Sequence, residues 1–159
     1  MIIDCQTHVM PDDYIDIFAR NTESTRMKRD SSGKAAVIVN DRAVLQFDMS
    51  NYSINKKIKD MDKLGIDISV LSPNIPGPCM LSPELALEGA QALNNFTAEA
   101  ILKHPDRFAG IACLPWQNPR EAIEEMNRAA DSLGLCAVML FSNIGGCPVD
   151  ALEFEPVLA

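Results

Sequence analysis

Three runs of this chain, Ile66–Leu71 (IDISVL), Phe108–Leu114 (FAGIACL) and Leu135–Phe141 (LCAVMLF), are apolar at nearly every position, and segments of helical periodicity separate them. A strand that is apolar at successive positions has no side to offer to water, so its sheet must be covered on both faces. The covering helices are written between the runs. Ile54, Ile58, Met61 and Leu64 fall at helical spacing ahead of Gly65. Leu85, Gly89, Leu93, Phe96 and Ala100 do so after Ser82-Pro83, and Ile123, Met126, Ala130 and Leu133 after Asn118-Pro119. Ser82 and Asn118 offer capping oxygens, proline takes the first helical position, and Gly65 and Gly134 supply stops. With a short first strand at Met1–Asp4, the order becomes βαβαβαβ, the pattern of a parallel α/β sheet.

Two further runs, Ala35–Val39 and Ala43–Phe47, flank Asn40-Asp41-Arg42 and read as a β-hairpin inserted after the first strand. The polar stretch Asn21–Lys34 before it reads as an exposed, mobile excursion, and Ala151 onward as the opening of one more helix. Four barrel-type strands are half of the eight that close a (β/α)8 TIM barrel, which typically needs about 250 residues; this chain has 159. The expected fold is therefore α/β: the N-terminal half of a TIM barrel, about four parallel strands with helices, plus the inserted hairpin. Residues 1–159 are expected to form one partial domain, its C-terminal half absent.

The net charge of -8 and pI near 4.7 leave no basic face for nucleic acid or an anionic membrane. Without a basic leader or a run near the roughly 18 apolar residues of a membrane span, a cytoplasmic location is expected. Five scattered cysteines with no C-x-x-C pair form neither a disulfide framework nor a zinc knuckle. Cys113 and Cys136, inside apolar runs, are expected to be buried as small hydrophobes.

Chemistry concentrates at the end of the first strand, Asp4-Cys5-Gln6-Thr7-His8. Regular alternation places Asp4, Gln6 and His8 on one side, with Cys5 and Thr7 on the other. In a barrel such strand ends project into the mouth, where two side chains at this spacing reach one ion. Neutral imidazole is a good zinc ligand; a glutamine carbonyl oxygen suits harder cations and binds zinc weakly. The alternative is that Gln6 and His8 satisfy each other or nearby backbone. Trp116 is either the wall of a pocket for a flat organic acid or a packing residue. Asn143 with Gly145-Gly146 either presents donors to a carboxylate or makes a turn. His104, in K-H-P-D-R-F, is expected at the last carbonyls of a helix.

The segments IIDCQTHVMP (2–11), DMDKLGID (60–67) with VLSP (70–73), HPDRFAG (104–110) with Leu114-Pro115, then Gly134, Asn143, Gly145 and EFEP (153–156) together resemble the amidohydrolase superfamily, in its branch related to aminocarboxymuconate-semialdehyde decarboxylase. The first-strand motif of that branch is normally D-x-H-x-H, so Gln6 stands where a histidine is usual. The resemblance implies a carboxy-lyase (a non-oxidative decarboxylase) or a hydrolase, acting on a small carboxylated or cyclic organic substrate. It implies a divalent metal, zinc above others, held by His8 and weakly by Gln6; the place of their loops after strand ends is what would set Trp116 and Asn143 at the substrate. The histidines and aspartate that later strands supply in such enzymes have no counterpart here. An arginine near the hairpin often holds the substrate carboxylate, whereas this hairpin reads Leu45-Gln46-Phe47-Asp48. The rival expectation is a catalytically silent half-barrel, an interaction module or an incomplete gene product. Its open strand edge would pair with a second copy or with a separate C-terminal half.

Overall fold

The computed structural model describes residues 1–159. In chain order it contains β1 (Ile3–Val9), α1 (Asp12–Ala19), β2 (Thr25–Arg29), β3 (Lys34–Val39), β4 (Arg42–Asp48), α2 (Ile54–Leu64) and β5 (Ile68–Pro73). There follow α3 (Pro83–Lys103), β6 (Phe108–Ala112), α4 (Pro119–Asp131), β7 (Ala137–Val138), β8 (Asn143–Ile144), β9 (Cys147–Pro148) and α5 (Glu155–Leu158). The main sheet has the order β1-β5-β6-β7 and every pairing in it is parallel. Strands adjacent in space in the order they are written, with helices between, make the N-terminal half of a TIM barrel.

The two faces of this sheet differ. Ser69, Leu71, Phe108, Gly110 and Ala112 are buried beneath the helices, while Ile68, Val70, Ala109 and Ile111 on the concave side are only half-buried. The strands are thus apolar for two faces but covered on one, because the concave side of a half-barrel faces the space that opposite strands fill. Gly110 shows how closely α3 lies on the other face: a Cβ there would stand 2.5 Å from Thr97 Cγ2 and 2.9 Å from Ile101 Cδ1.

The hairpin forms as expected, Asn40 and Asp41 taking the positive φ angles (48° and 62°) of a tight two-residue turn. The excursion before it is more ordered than expected: β2 pairs antiparallel with β3, making a three-stranded sheet. Met27, Ala35 and Val37 turn from that sheet into the main core with Val9, Tyr14 and Phe18. A smaller core of Leu114, Trp116, Ala122, Ile144, Phe154 and Val157 seats the C-terminal segment against α4.

Four local expectations are corrected. β1 runs on to Val9, because Thr7, His8 and Val9 pair with Leu71, Ser72 and Pro73. Leu135–Phe141 yields only the two residues of β7 at one edge of the sheet, with Cys136 exposed and Leu140 53% exposed. The buried stripe of α4 is Ala122, Glu125 and Ala129, and Ala130 faces water. Asn118 caps α4 through Glu121 N–H, but Ser82 offers α3 no side-chain cap; its own N–H is bound instead by Asn21.

Candidate active site at the mouth of the half-barrel

β1 does not alternate evenly. Asp4 lies opposite Ser69 and Thr7 opposite Leu71, so Cys5 and Gln6 together oppose Val70 in a β-bulge. The expectation that Asp4, Gln6 and His8 share one side is therefore corrected. Asp4 turns to the helix side, where it accepts a hydrogen bond from the Thr7 hydroxyl and lines a cleft of about 320 Å3 with Lys57 and Met61. Beyond the bulge, Val9 is fully buried toward the helices, which leaves His8 and Gln6 on the concave side. Gln6 is exposed and makes no side-chain hydrogen bond to His8; the partners of His8 come from β5.

His8 Nδ1 lies 3.1 Å from the Pro73 carbonyl oxygen and 3.3 Å from Ser72 Oγ. A carbonyl can only accept, so the neutral ring carries its proton on Nδ1 and keeps a lone pair on Nε2. A backbone carbonyl behind one ring nitrogen is the usual way a protein orients an imidazole whose other nitrogen binds a metal or a substrate proton. Ser72 and Pro73 stood out in the sequence only within the VLSP segment, which gave neither of them the contact with His8 that the fold makes.

The loop after β5, residues 74–82, is held by side chains from three directions. Tyr14 donates its hydroxyl proton to the Pro76 carbonyl at 2.8 Å. Asn21 donates to the Met80 carbonyl and accepts from Ser82 N–H. Gln117 Nε2 donates to the carbonyls of Pro78 and Leu81 at 2.8 and 2.9 Å. The loop after β6 is tied down likewise: Asn94, 1% exposed, accepts from Cys113 N–H at 2.8 Å and donates to Cys113 C=O at 2.9 Å. Its amide also donates to Glu125, whose carboxylate is gripped at 2.7 Å by both Nε and Nη2 of Arg128. The sequence signal was an asparagine and a glutamate on the apolar faces of α3 and α4.

Trp116 is 1% exposed, with its ring edge-on to Phe154 at 6.1 Å, so its place is inside the second core and not at the wall of the mouth. Its indole N–H and Gln117 Oε1 are buried without hydrogen-bond partners. Asn143 is exposed at the start of the β8–β9 hairpin, whose turn is Gly145-Gly146 at φ 59° and 90°. The structure does not bring Asn143 or Trp116 into hydrogen-bonding contact with Gln6 or His8. His104 ends α3 through its backbone N–H, bound to the carbonyls of Ala100 and Ile101, while its ring packs on Phe108.

Burial raises the Cys79 thiol to about 11 and pushes Cys113 and the Tyr14 hydroxyl up as well. Thiols held neutral are poor nucleophiles. Lys57 is pulled down by burial against the opposing attraction of Asp4. The metal expected at the mouth meets one imidazole nitrogen and one carboxamide oxygen, and no group of three or more His, Cys, Asp or Glu is placed to hold an ion. Catalytic zinc sites use three protein ligands. The residues of this chain do not by themselves fit such an ion.

A family model described as Amidohydrolase matches residues 3–159. This chain belongs to the amidohydrolase family. It is 27% identical to the 2-amino-3-carboxymuconate-6-semialdehyde decarboxylase of Dictyostelium discoideum over 98% of this chain and 44% of that one. It is 34% identical to a gamma-resorcylate decarboxylase of Polaromonas over 54% of this chain and 27% of that one. Among solved structures, 5-carboxyvanillate decarboxylase from Sphingomonas paucimobilis superposes with a TM-score of 0.79 at 22% identity, over 98% of this chain and 47% of its own. A related 5-carboxyvanillate decarboxylase from Novosphingobium aromaticivorans, with bound manganese, gives 0.74 at 22% identity over 99% of this chain and 46% of its own. The chain thus spans less than half the length of the relatives and structures it matches. No helix is long and apolar enough to cross a membrane.

Proposed function

We propose that this chain is the N-terminal half of the active-site barrel of a metal-dependent decarboxylase acting on a small carboxylated organic compound. The observation that carries the reading is the His8 imidazole, backed by the Pro73 carbonyl, with Nε2 free at the mouth end of the first strand. The decarboxylases to which the chain is similar over 98% of its length support the reaction class. Hydrolysis of a cyclic substrate by the same family chemistry is the alternative, since a mouth built on one oriented imidazole favours neither. Zinc remains the proposed ion, with manganese its competitor because manganese occupies the related carboxyvanillate enzyme. Either ion needs donors beyond His8 and Gln6.

The half-covered concave face of Ile68, Val70, Ala109 and Ile111 supports a second element of the proposal. Its occupant is a complementary half-barrel that pairs with the free edges of β1 and β7, as the 47% coverage of the related barrel suggests. A second copy of this chain is the competing occupant. A half-barrel that finds neither would be an interaction module without catalysis.

The test combines metal analysis by plasma mass spectrometry with carbon dioxide release. The substrates are 2,6-dihydroxybenzoate, 5-carboxyvanillate and 2-amino-3-carboxymuconate semialdehyde, with His8→Ala as control. Bound metal and turnover, both lost in His8→Ala, are expected once the barrel is complete. Turnover that survives His8→Ala would refute the role of His8, and hydrolysis without carbon dioxide release would replace the reaction. A protein that stays silent and metal-free with its barrel complete would refute the whole reading.

A further inference from the structure

A bulge in the first strand needs a cause. Cys5 and Gln6 face a single partner residue, Val70, and a bulge leaves one residue's backbone groups without a ladder partner. The Asp4 carboxylate fills that gap: Oδ1 accepts from Gln6 N–H at 3.2 Å, and Oδ2 accepts from the Thr7 hydroxyl. Ser69 Oγ lies 3.5 Å from the same Oδ2, and Lys57 of α2 is attracted to it from the helix side. One carboxylate therefore grips both the bulged residue and the residue that follows it.

The geometry points to Asp4 as the residue that holds the bulge: its carboxylate grips Gln6 N–H and the Thr7 hydroxyl, and so keeps Asp4 itself off the concave face where Gln6 and His8 stand. Phase explains why this matters. Val9 is fully buried toward the helices and fixes the far end of β1, so His8 faces the concave side and Thr7 the helices. Regular alternation back from Val9 would set Asp4 on the concave side, a carboxylate directly below Gln6. The extra residue reverses the phase of everything before it, since the side-chain period of a strand is two. Asp4 passes to the helix side and the mouth end of the strand presents a neutral amide and an imidazole. The bulge is a matter of backbone geometry and does not depend on which reaction the mouth serves.

Amide hydrogen exchange and nitrogen-resolved NMR on the wild type, Asp4→Asn, Asp4→Ala and Thr7→Val test it. The Gln6 amide is expected to exchange at least tenfold faster in Asp4→Ala, with protection largely kept in Asp4→Asn, whose side-chain oxygen still accepts. Contacts between strands should shift by one residue for Ile3 and Asp4 in Asp4→Ala, while those of Val9 with Pro73 stay. Thr7→Val removes one of the two grips and should give intermediate Gln6 protection, which keeps the test open if Asp4→Ala fails to fold. Unchanged Gln6 protection and unchanged register in Asp4→Ala, or wild-type protection in Thr7→Val together with its loss in Asp4→Asn, would overturn the assignment.

Discussion

Asn94→Ala is the most informative single perturbation of the frame around the mouth. The Asn94 side chain lies against Cys113 just past the end of β6 and pairs with both its N–H and its C=O, as a neighbouring strand would. Truncation leaves those two backbone groups unpaired in a place where Asn94 is 1% exposed and Cys113 1%. Each buried group left without a partner costs about 1–3 kcal/mol. Glu125 loses the amide donor but keeps both contacts from Arg128, so its charge stays compensated. The sum is about 4 kcal/mol, which for a domain of this size is roughly 8–16 °C in Tm. Urea and thermal unfolding followed by circular dichroism measure it. Asn94→Asp serves as the isosteric comparison: it keeps an acceptor for Cys113 N–H but sets a second carboxylate against Glu125, and should destabilise more near neutral pH than in mild acid. A change in Asn94→Ala within about 0.5 kcal/mol, the range of ordinary surface substitutions, would refute the reasoning.

Gly110→Ala tests how closely α3 lies on the sheet. Its methyl group would meet Thr97, Ile101 and Leu135, and a loss of about 1–3 kcal/mol in urea unfolding is expected from overpacking. Thiol labelling at pH 7.5 should be fast at the exposed Cys5 and Cys136, slower at Cys147, whose thiol the Glu153 carboxylate pushes up, and slow at the buried Cys79 and Cys113. Cys79 also sets a pH dependence. Its thiol ionises near 9.0 when unfolded and at about 11 when folded, so the unfolded state releases its proton first. Stability should therefore decline as pH rises from 9 towards 11, and Cys79→Ala should flatten that part of a pH series of unfolding midpoints.

Much of the frame was legible in the residues. Apolar runs at 66–71 and 108–114 marked β5 and β6, helical spacing after Ser53, Ser82 and Asn118 marked α2, α3 and α4, and the left-handed Gly65 ended α2 as written. These signals are local: periodicity, capping and turn chemistry act within a few residues. What failed was non-local. β2 is polar and exposed at Arg26 and Lys28, and it is a strand only because β3 lies beside it. Leu135–Phe141 is apolar enough for a central strand, yet only Ala137 and Val138 pair with β6.

The same division holds at the mouth. The sequence by itself placed Gln6 and His8 two residues apart at the end of the first strand and named the chain's family through its motifs. It could not show that Asp4 leaves their side, because a bulge is set by the register between β1 and β5, strands 65 residues apart in the chain and paired only in the folded sheet. Nor could it show which nitrogen of His8 stays free, since the carbonyl that fixes the ring belongs to Pro73. Trp116 kept two readings until the fold brought Phe154 against it. Side-chain type and spacing are properties of the chain; direction, burial and hydrogen-bond partner depend on segments that meet only when the sheet is built.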